Sequence, residues 1–198
     1  MMNEVWFRQF VWIDYRLATL FLVFIPLVLL IWAFVQKAEG MQRLLTIYWR
    51  VSSLLAITVY LMIAQYPVSF ISGLIARILI PISLWFWVDL NDEIEYQPSS
   101  PLKFVFISWR WAVTVYSVVG AIALVPFVGC AVSETAIKTP YCQVWFEAPL
   151  LFKQYFHYNS KPAFLGFLGI VGLVVYVIYL TQFVLVRLGK QGRSATQQ

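Results

Sequence analysis

Residues 51–88 read VSSLLAITVYLMIAQYPVSFISGLIARILIPISLWFWV and hold a single charge, Arg77. A helix needs about 20 apolar residues to cross a hydrocarbon core of ~30 Å, so this stretch is too long for one span. Gln65-Tyr66-Pro67 is its polar break and marks a chain reversal. The stretch therefore divides into two spans, 44–64 and 68–88, with Arg77 near the middle of the second. The competing reading makes 68–88 a re-entrant segment.

Working outward, three further uncharged runs have span length: 17–35, 111–132 and 163–186. Hydrophobic residues make up 62% of the 198-residue chain and charged residues 12%. A soluble domain lies near 45–50% and about 25%. The expected fold class is thus all-α: an integral membrane helical bundle of about five transmembrane helices plus interfacial helices. Residues 1–16 are an interfacial N-terminal segment, 17–186 the membrane domain with an outer loop at 133–162, and 187–198 a tail. The net charge of +5 does not point to nucleic acid, because the basic residues sit singly beside apolar spans.

The distribution of Lys and Arg separates the two topologies. Five spans put Lys37, Arg43, Arg50, Lys103, Arg110, Arg187, Lys190 and Arg193 on one side, eight in all, against five on the other: Arg8, Arg16, Lys138, Lys153 and Lys161. Four spans split them seven to six, which orients nothing. Five spans are therefore preferred, with the N-terminus outside and the C-terminus cytoplasmic. This places Cys130 and Cys142 at the outer side, where an oxidising compartment permits a disulfide; a pair of free cysteines is the alternative. Segments 5–13 and 144–158 are dense in aromatics and read as helices lying in the interface on that side, or as an ordinary aromatic belt.

Arg77 is the foremost candidate site residue. A charge at mid-membrane costs at least ~2.5 kcal/mol and normally faces protein, water or an anion. Pro81 removes the hydrogen bond to the Arg77 carbonyl, and Gly73 leaves room for a neighbour one turn earlier. The residues leave two uses open: contact with an anionic headgroup, a ligand carboxylate or a partner's acidic residue, or else snorkelling outward or pairing with backbone carbonyls inside the bundle. No Asp or Glu falls within the five expected spans, which argues against proton- or sodium-coupled transport. Gly166, Gly169 and Gly172 follow Ala163 at three-residue spacing and form a smooth ribbon, for packing inside the bundle or for docking a foreign helix. His157, the only histidine, is the candidate pigment ligand, with an interfacial aromatic role as the alternative. Asp89, Asp92, Glu93 and Glu95 form an acidic cluster that lacks the second motif a two-metal transferase needs, so no metal site is assigned.

Four stretches carry a family resemblance: Val11-Trp12-Ile13-Asp14-Tyr15-Arg16, Ile47-Tyr48-Trp49-Arg50, the run 76–90 around Arg77 and Pro81, and Ser108-Trp109-Arg110-Trp111-Ala112-Val113. The chain resembles, over nearly its whole length, an uncharacterised family of multi-span membrane proteins of cyanobacteria, known as a domain of unknown function. The resemblance implies a thylakoid or plasma membrane and an accessory or assembly role beside a photosynthetic complex, photosystem II first among them. The implied partners are membrane lipids and other integral membrane proteins such as photosystem subunits, with chlorophyll or carotenoid as cofactors to test. The alternative function is a small channel or a lipid or anion transporter built on Arg77; a membrane transferase using the acidic cluster comes third.

Overall fold

The computed structural model describes residues 5–133, 135–188 and 194. The ends of the expected N-terminal segment and tail, including Lys190 and Arg193, lie outside the described residues, as does Glu134. Every regular element among those described is helical. In chain order the longer ones are α1 (Arg8–Val35), α2 (Glu39–Ile63), α3 (Val68–Trp85), α4 (Val88–Tyr96), α5 (Pro101–Val132), α6 (Glu147–Phe156) and α7 (Pro162–Val186), with short helical turns between α5 and α6. Five of these, all but α4 and α6, are long and apolar enough to cross a membrane.

The first two reversals of the bundle have the same chemistry. After α1, the Ala38 N–H donates to the Ala33 carbonyl and the Lys37 N–H to that of Phe34. After α2, Tyr66 donates to Leu61 and Gln65 to Met62. These paired bonds satisfy carbonyls that a helix end leaves open, and they require a left-handed residue, usually glycine. Here Lys37 and Gln65 take that place, with φ of 54° and 56°. The polar break at 65–67 is thus a tight turn, and 68–85 forms a full-length helix rather than a re-entrant loop.

Helix α3 is central, packed between α2 and α5, with α1 bridging those two and α7 lying on α2, where its Tyr176 also reaches Ala76 of α3. Side chains of α1, α2, α3 and α5 close one core around Leu22, Leu44, Tyr48, Leu84 and Phe106, and α4 folds beneath it through Leu90 and Ile94. Because lipid is as apolar as leucine, helices associate here by close packing and interhelical hydrogen bonds. The Thr58 and Ser72 hydroxyls meet at 2.9 Å between α2 and α3, and the Trp109 indole donates to the Phe21 carbonyl at 2.9 Å.

Two expected boundaries shift. The segment 5–13 is not a separate interfacial helix: α1 runs unbroken from Arg8 through a π turn at Thr19–Phe24. One face of its first turns is held by protein, since Val11 is buried and the Trp12 indole and Arg8 both donate to Glu147 at 2.9 Å, while Trp6, Phe10 and Ile13 stay exposed. Helix α5 begins about ten residues before the apolar run. Pro101 suits a first helical position, Ser100 caps it by accepting from the Lys103 N–H at 3.2 Å, and Lys103 Nζ turns back to the carbonyls of Glu95 and Gln97.

The glycine ribbon of α7 lies against α2. A Cβ on Gly166 would collide with that of Ala64, one on Gly169 would come 3.1 Å from the Leu61 backbone nitrogen, and one on Gly172 would come 3.2 Å from Ile57. The ribbon therefore packs inside the bundle, and its face is not free for a foreign helix. Ala64 cannot retreat without moving α2, so Gly166→Ala is expected to cost about 1–3 kcal/mol by overpacking. A lowered melting temperature in detergent checks this; a melt unchanged from wild type would contradict the close approach.

Candidate functional site

Arg77, the tenth residue of α3, stands ~14 Å along it. Its Nη2 donates to Asp14 Oδ2 in a close ion pair. The Tyr116 hydroxyl of α5 lies 2.8 Å from Asp14 Oδ1 and 2.9 Å from the Asp14 carbonyl, and the Arg77 guanidinium sits 5.2 Å from the Tyr116 ring centre. Three helices thus meet at one charge-neutral cluster. It corrects the expectation that the membrane helices hold no acidic residue, because α1 carries Asp14 inward from what the apolar run leaves outside the span.

The gap that admits Arg77 is at Gly120 of α5, not at Gly73. A Cβ on Gly120 would overlap Arg77 Nη1 and come within 2.6 Å of Cζ. Gly73 instead faces α2, where its Cβ would sit 3.4 Å from Thr58 Cγ2, an ordinary contact. The guanidinium is pinned by Asp14 and cannot swing away at little cost. Gly120→Ala is therefore expected to destabilise by about 1–3 kcal/mol. The check is a thermal melt of Gly120→Ala beside Gly73→Ala, and equal melting of the two would sink the assignment.

A groove of about 310 Å³ between α1 and α5 reaches the cluster, lined by Phe10, Ile13, Leu17 and Val119 beside Asp14 and Tyr116. Asp14 is 22% exposed and Arg77 8%. A visitor in the groove therefore meets the carboxylate before the guanidinium. That edge accepts hydrogen bonds and repels anions, so it does not form the grip on an anionic headgroup expected at Arg77. Nor is Arg77 presented to an outside partner.

A second arginine is buried in the bundle, against the expectation from the sequence. Arg110 of α5, expected at the interface, is 7% exposed and lies 3.6 Å from the centre of the Trp85 ring. The Trp85 indole donates to Thr114 Oγ1 at 2.9 Å, fixing the ring beneath the cation. The sequence signal was there in Trp109-Arg110-Trp111, but Arg110 there reads as a headgroup residue.

The other candidates fall elsewhere. His157 ends α6, and its Nε2 lies 3.0 Å from the Tyr60 hydroxyl, so this nitrogen is engaged within the protein; the ring also meets Phe152 and Tyr60 edge-on. Cys130 and Cys142 form a disulfide, with Cα atoms 6.0 Å apart. It lies in a cluster with Phe127, Trp145 and Phe146 that closes over one end of the bundle. Segment 144–158 divides accordingly: Val144, Trp145 and Phe146 are buried, while Tyr155, Phe156 and Tyr158 project outward. Asp89 accepts from the Ser194 hydroxyl at 3.1 Å and Glu93 lies against Gly40. Among the described residues no three His, Cys, Asp or Glu side chains converge as a metal set.

Residues 8–196, spanning the whole bundle and both partners of the ion pair, match the family described as protein of unknown function (DUF3177). The chain belongs to that family. No curated protein and no solved structure matches the chain. The family match covers Asp14, Arg77, Tyr116 and Gly120 alike, so the cluster lies wholly within the family's domain.

Proposed function

We propose that this multi-pass protein is a non-enzymatic accessory or assembly factor that binds other components of its membrane. The observation that supports this reading is the pairing of Arg77 with Asp14 inside the bundle. The intramembrane cation that a channel or anion carrier would use is neutralised by Asp14 and screened from the groove by it. What remains turned outward is binding surface, including the aromatic ridge of Tyr155, Phe156 and Tyr158 at the disulfide end. Aromatic side chains of this kind suit both the membrane interface and protein contacts.

The finer parts of the proposal rest on the family resemblance and on the Lys/Arg balance. They place the protein in a cyanobacterial thylakoid or plasma membrane, with the disulfide end lumenal or periplasmic and the C-terminus cytoplasmic. The proposed partner is a photosynthetic complex, photosystem II first. The test is to tag the C-terminus, solubilise native membranes in mild detergent and identify what co-migrates on a native gel. Photosystem subunits or chlorophyll in the tagged band support the proposal. Migration as a single chain, with no protein or pigment attached, overturns it.

A further inference from the structure

The glycine ribbon has a consequence at the opposite end of α7. Gly166, Gly169 and Gly172 draw the helix onto α2, but beyond them the small residues stop. Tyr176, Tyr179 and Phe183 take their place, Tyr176 donating to the Val51 carbonyl at 3.3 Å and Phe183 meeting the Trp87 ring. The helices splay into a cleft of about 470 Å³, within the ~300–1,000 Å³ range of ligand sites. Ile47, Val51, Leu79, Ile82, Leu180 and Val184 make its walls apolar.

One edge of this cleft is cationic. Arg43 and Arg50 line it from α2, two turns apart on one face, with the Thr46 hydroxyl side chain between them. Arg43 pairs with Glu39 at 3.0 Å across one exposed turn. Arg50 is exposed and has no carboxylate within ion-pair reach among the described residues. It stands ~10 Å along α2 from Arg43, where the uncharged stretch 51–63 of the helix begins. An arginine there needs an anion or water at its head.

We propose that this cleft holds a membrane lipid with an anionic headgroup, its acyl chain between α2, α3 and α7 and its headgroup on Arg50 and Arg43. The fit is one of charge and shape together. An apolar slot continues from the bilayer interior toward the surface and ends on two arginines, one of them without a carboxylate partner among the described residues. A zwitterionic lipid would bring a cation to the same edge. The site is separate from the Asp14–Arg77 cluster and does not depend on a protein partner.

The test uses the full-length protein, delipidated by detergent exchange and then incubated with phosphatidylglycerol or phosphatidylcholine, with retained lipid counted by native mass spectrometry. The wild-type chain is expected to retain phosphatidylglycerol about tenfold better, the discrimination lost with one charge-assisted hydrogen bond. Arg50→Gln should bring phosphatidylglycerol down to the phosphatidylcholine level. Ile82→Trp, which fills the slot, should reduce both. Lys161→Gln, at the far end of α7, should change neither. Equal retention of the two lipids by the wild type overturns the proposal without recourse to any variant. So does phosphatidylglycerol binding that Arg50→Gln leaves intact, competition by inorganic phosphate alone at equal concentration, or a co-purified peptide in place of lipid.

Discussion

Asp14→Ala is expected to destabilise the bundle by about 3–5 kcal/mol, the range for leaving one member of a buried ion pair without its partner. The loss falls on three helices at once, because Asp14 on α1 receives both the Arg77 guanidinium of α3 and the Tyr116 hydroxyl of α5. The pair itself is worth far less than its disruption, since both charges give up solvation to meet. Asp14→Leu combined with Arg77→Leu should therefore recover most of the stability that Asp14→Ala loses. Thermal unfolding in one detergent, with all variants side by side, reads both effects. An Asp14→Ala protein melting with the wild type would show that the pair carries no structural weight. A double variant as unstable as the single one would mean that shape, not charge, matters at this point.

The disulfide gives the next largest effect. Cys130 and Cys142 are separated by 12 residues, and opening a loop of that length is expected to cost about 3 kcal/mol. The bond anchors the segment over the end of the bundle, where Phe127 stacks on Tyr141 at 4.6 Å and meets Trp145 at 5.0 Å. That segment in turn receives the Tyr15 hydroxyl on the Trp145 carbonyl at 2.8 Å. Reduction should accordingly lower the melting temperature and expose the start of α1 to proteolysis. A protein with both Cys130→Ser and Cys142→Ser should melt at the reduced temperature whether or not reductant is present. If reductant shifts the double variant as much as the wild type, the effect has another source.

Much of the helix plan was legible because the apolar runs that decide it are long. The polar break at Gln65-Tyr66-Pro67 was visible for the same reason: three residues that interrupt an otherwise unbroken run. The ion pair was half legible. Arg77 stood out against its surroundings, but Asp14 looked like a surface residue because Arg8, Asp14 and Arg16 interrupt the apolar pattern. Only the contacts of Val11, Trp12 and Tyr15 with the loop and with Glu147 show why the helix continues outward and takes its acid in. Gly120 gave no signal at all, since a single glycine among Val118, Val119 and Ala121 carries no mark of which helix approaches it. The same limit hid Arg110. Its burial depends on Trp85, a residue 25 positions earlier on another helix, whose orientation is set by Thr114.

The separation of Asp14 from Arg77 also orders events during synthesis. Arg77 follows Asp14 by 63 positions, and at ~5–20 residues per second the acid is made some 3–13 s before its cation. Tyr116 comes later still, 102 positions after Asp14. During that interval the start of α1 has no counter-charge to take it below the headgroups, so the first helix to emerge is among the last to reach its final depth. Chains arrested on the ribosome before residue 77 should leave a thiol placed at position 11, where Val11 is buried in the finished bundle, open to a water-soluble maleimide. Chains arrested after span α5 has cleared the translocon should protect it, and equal labelling at both lengths would show that α1 seats without waiting.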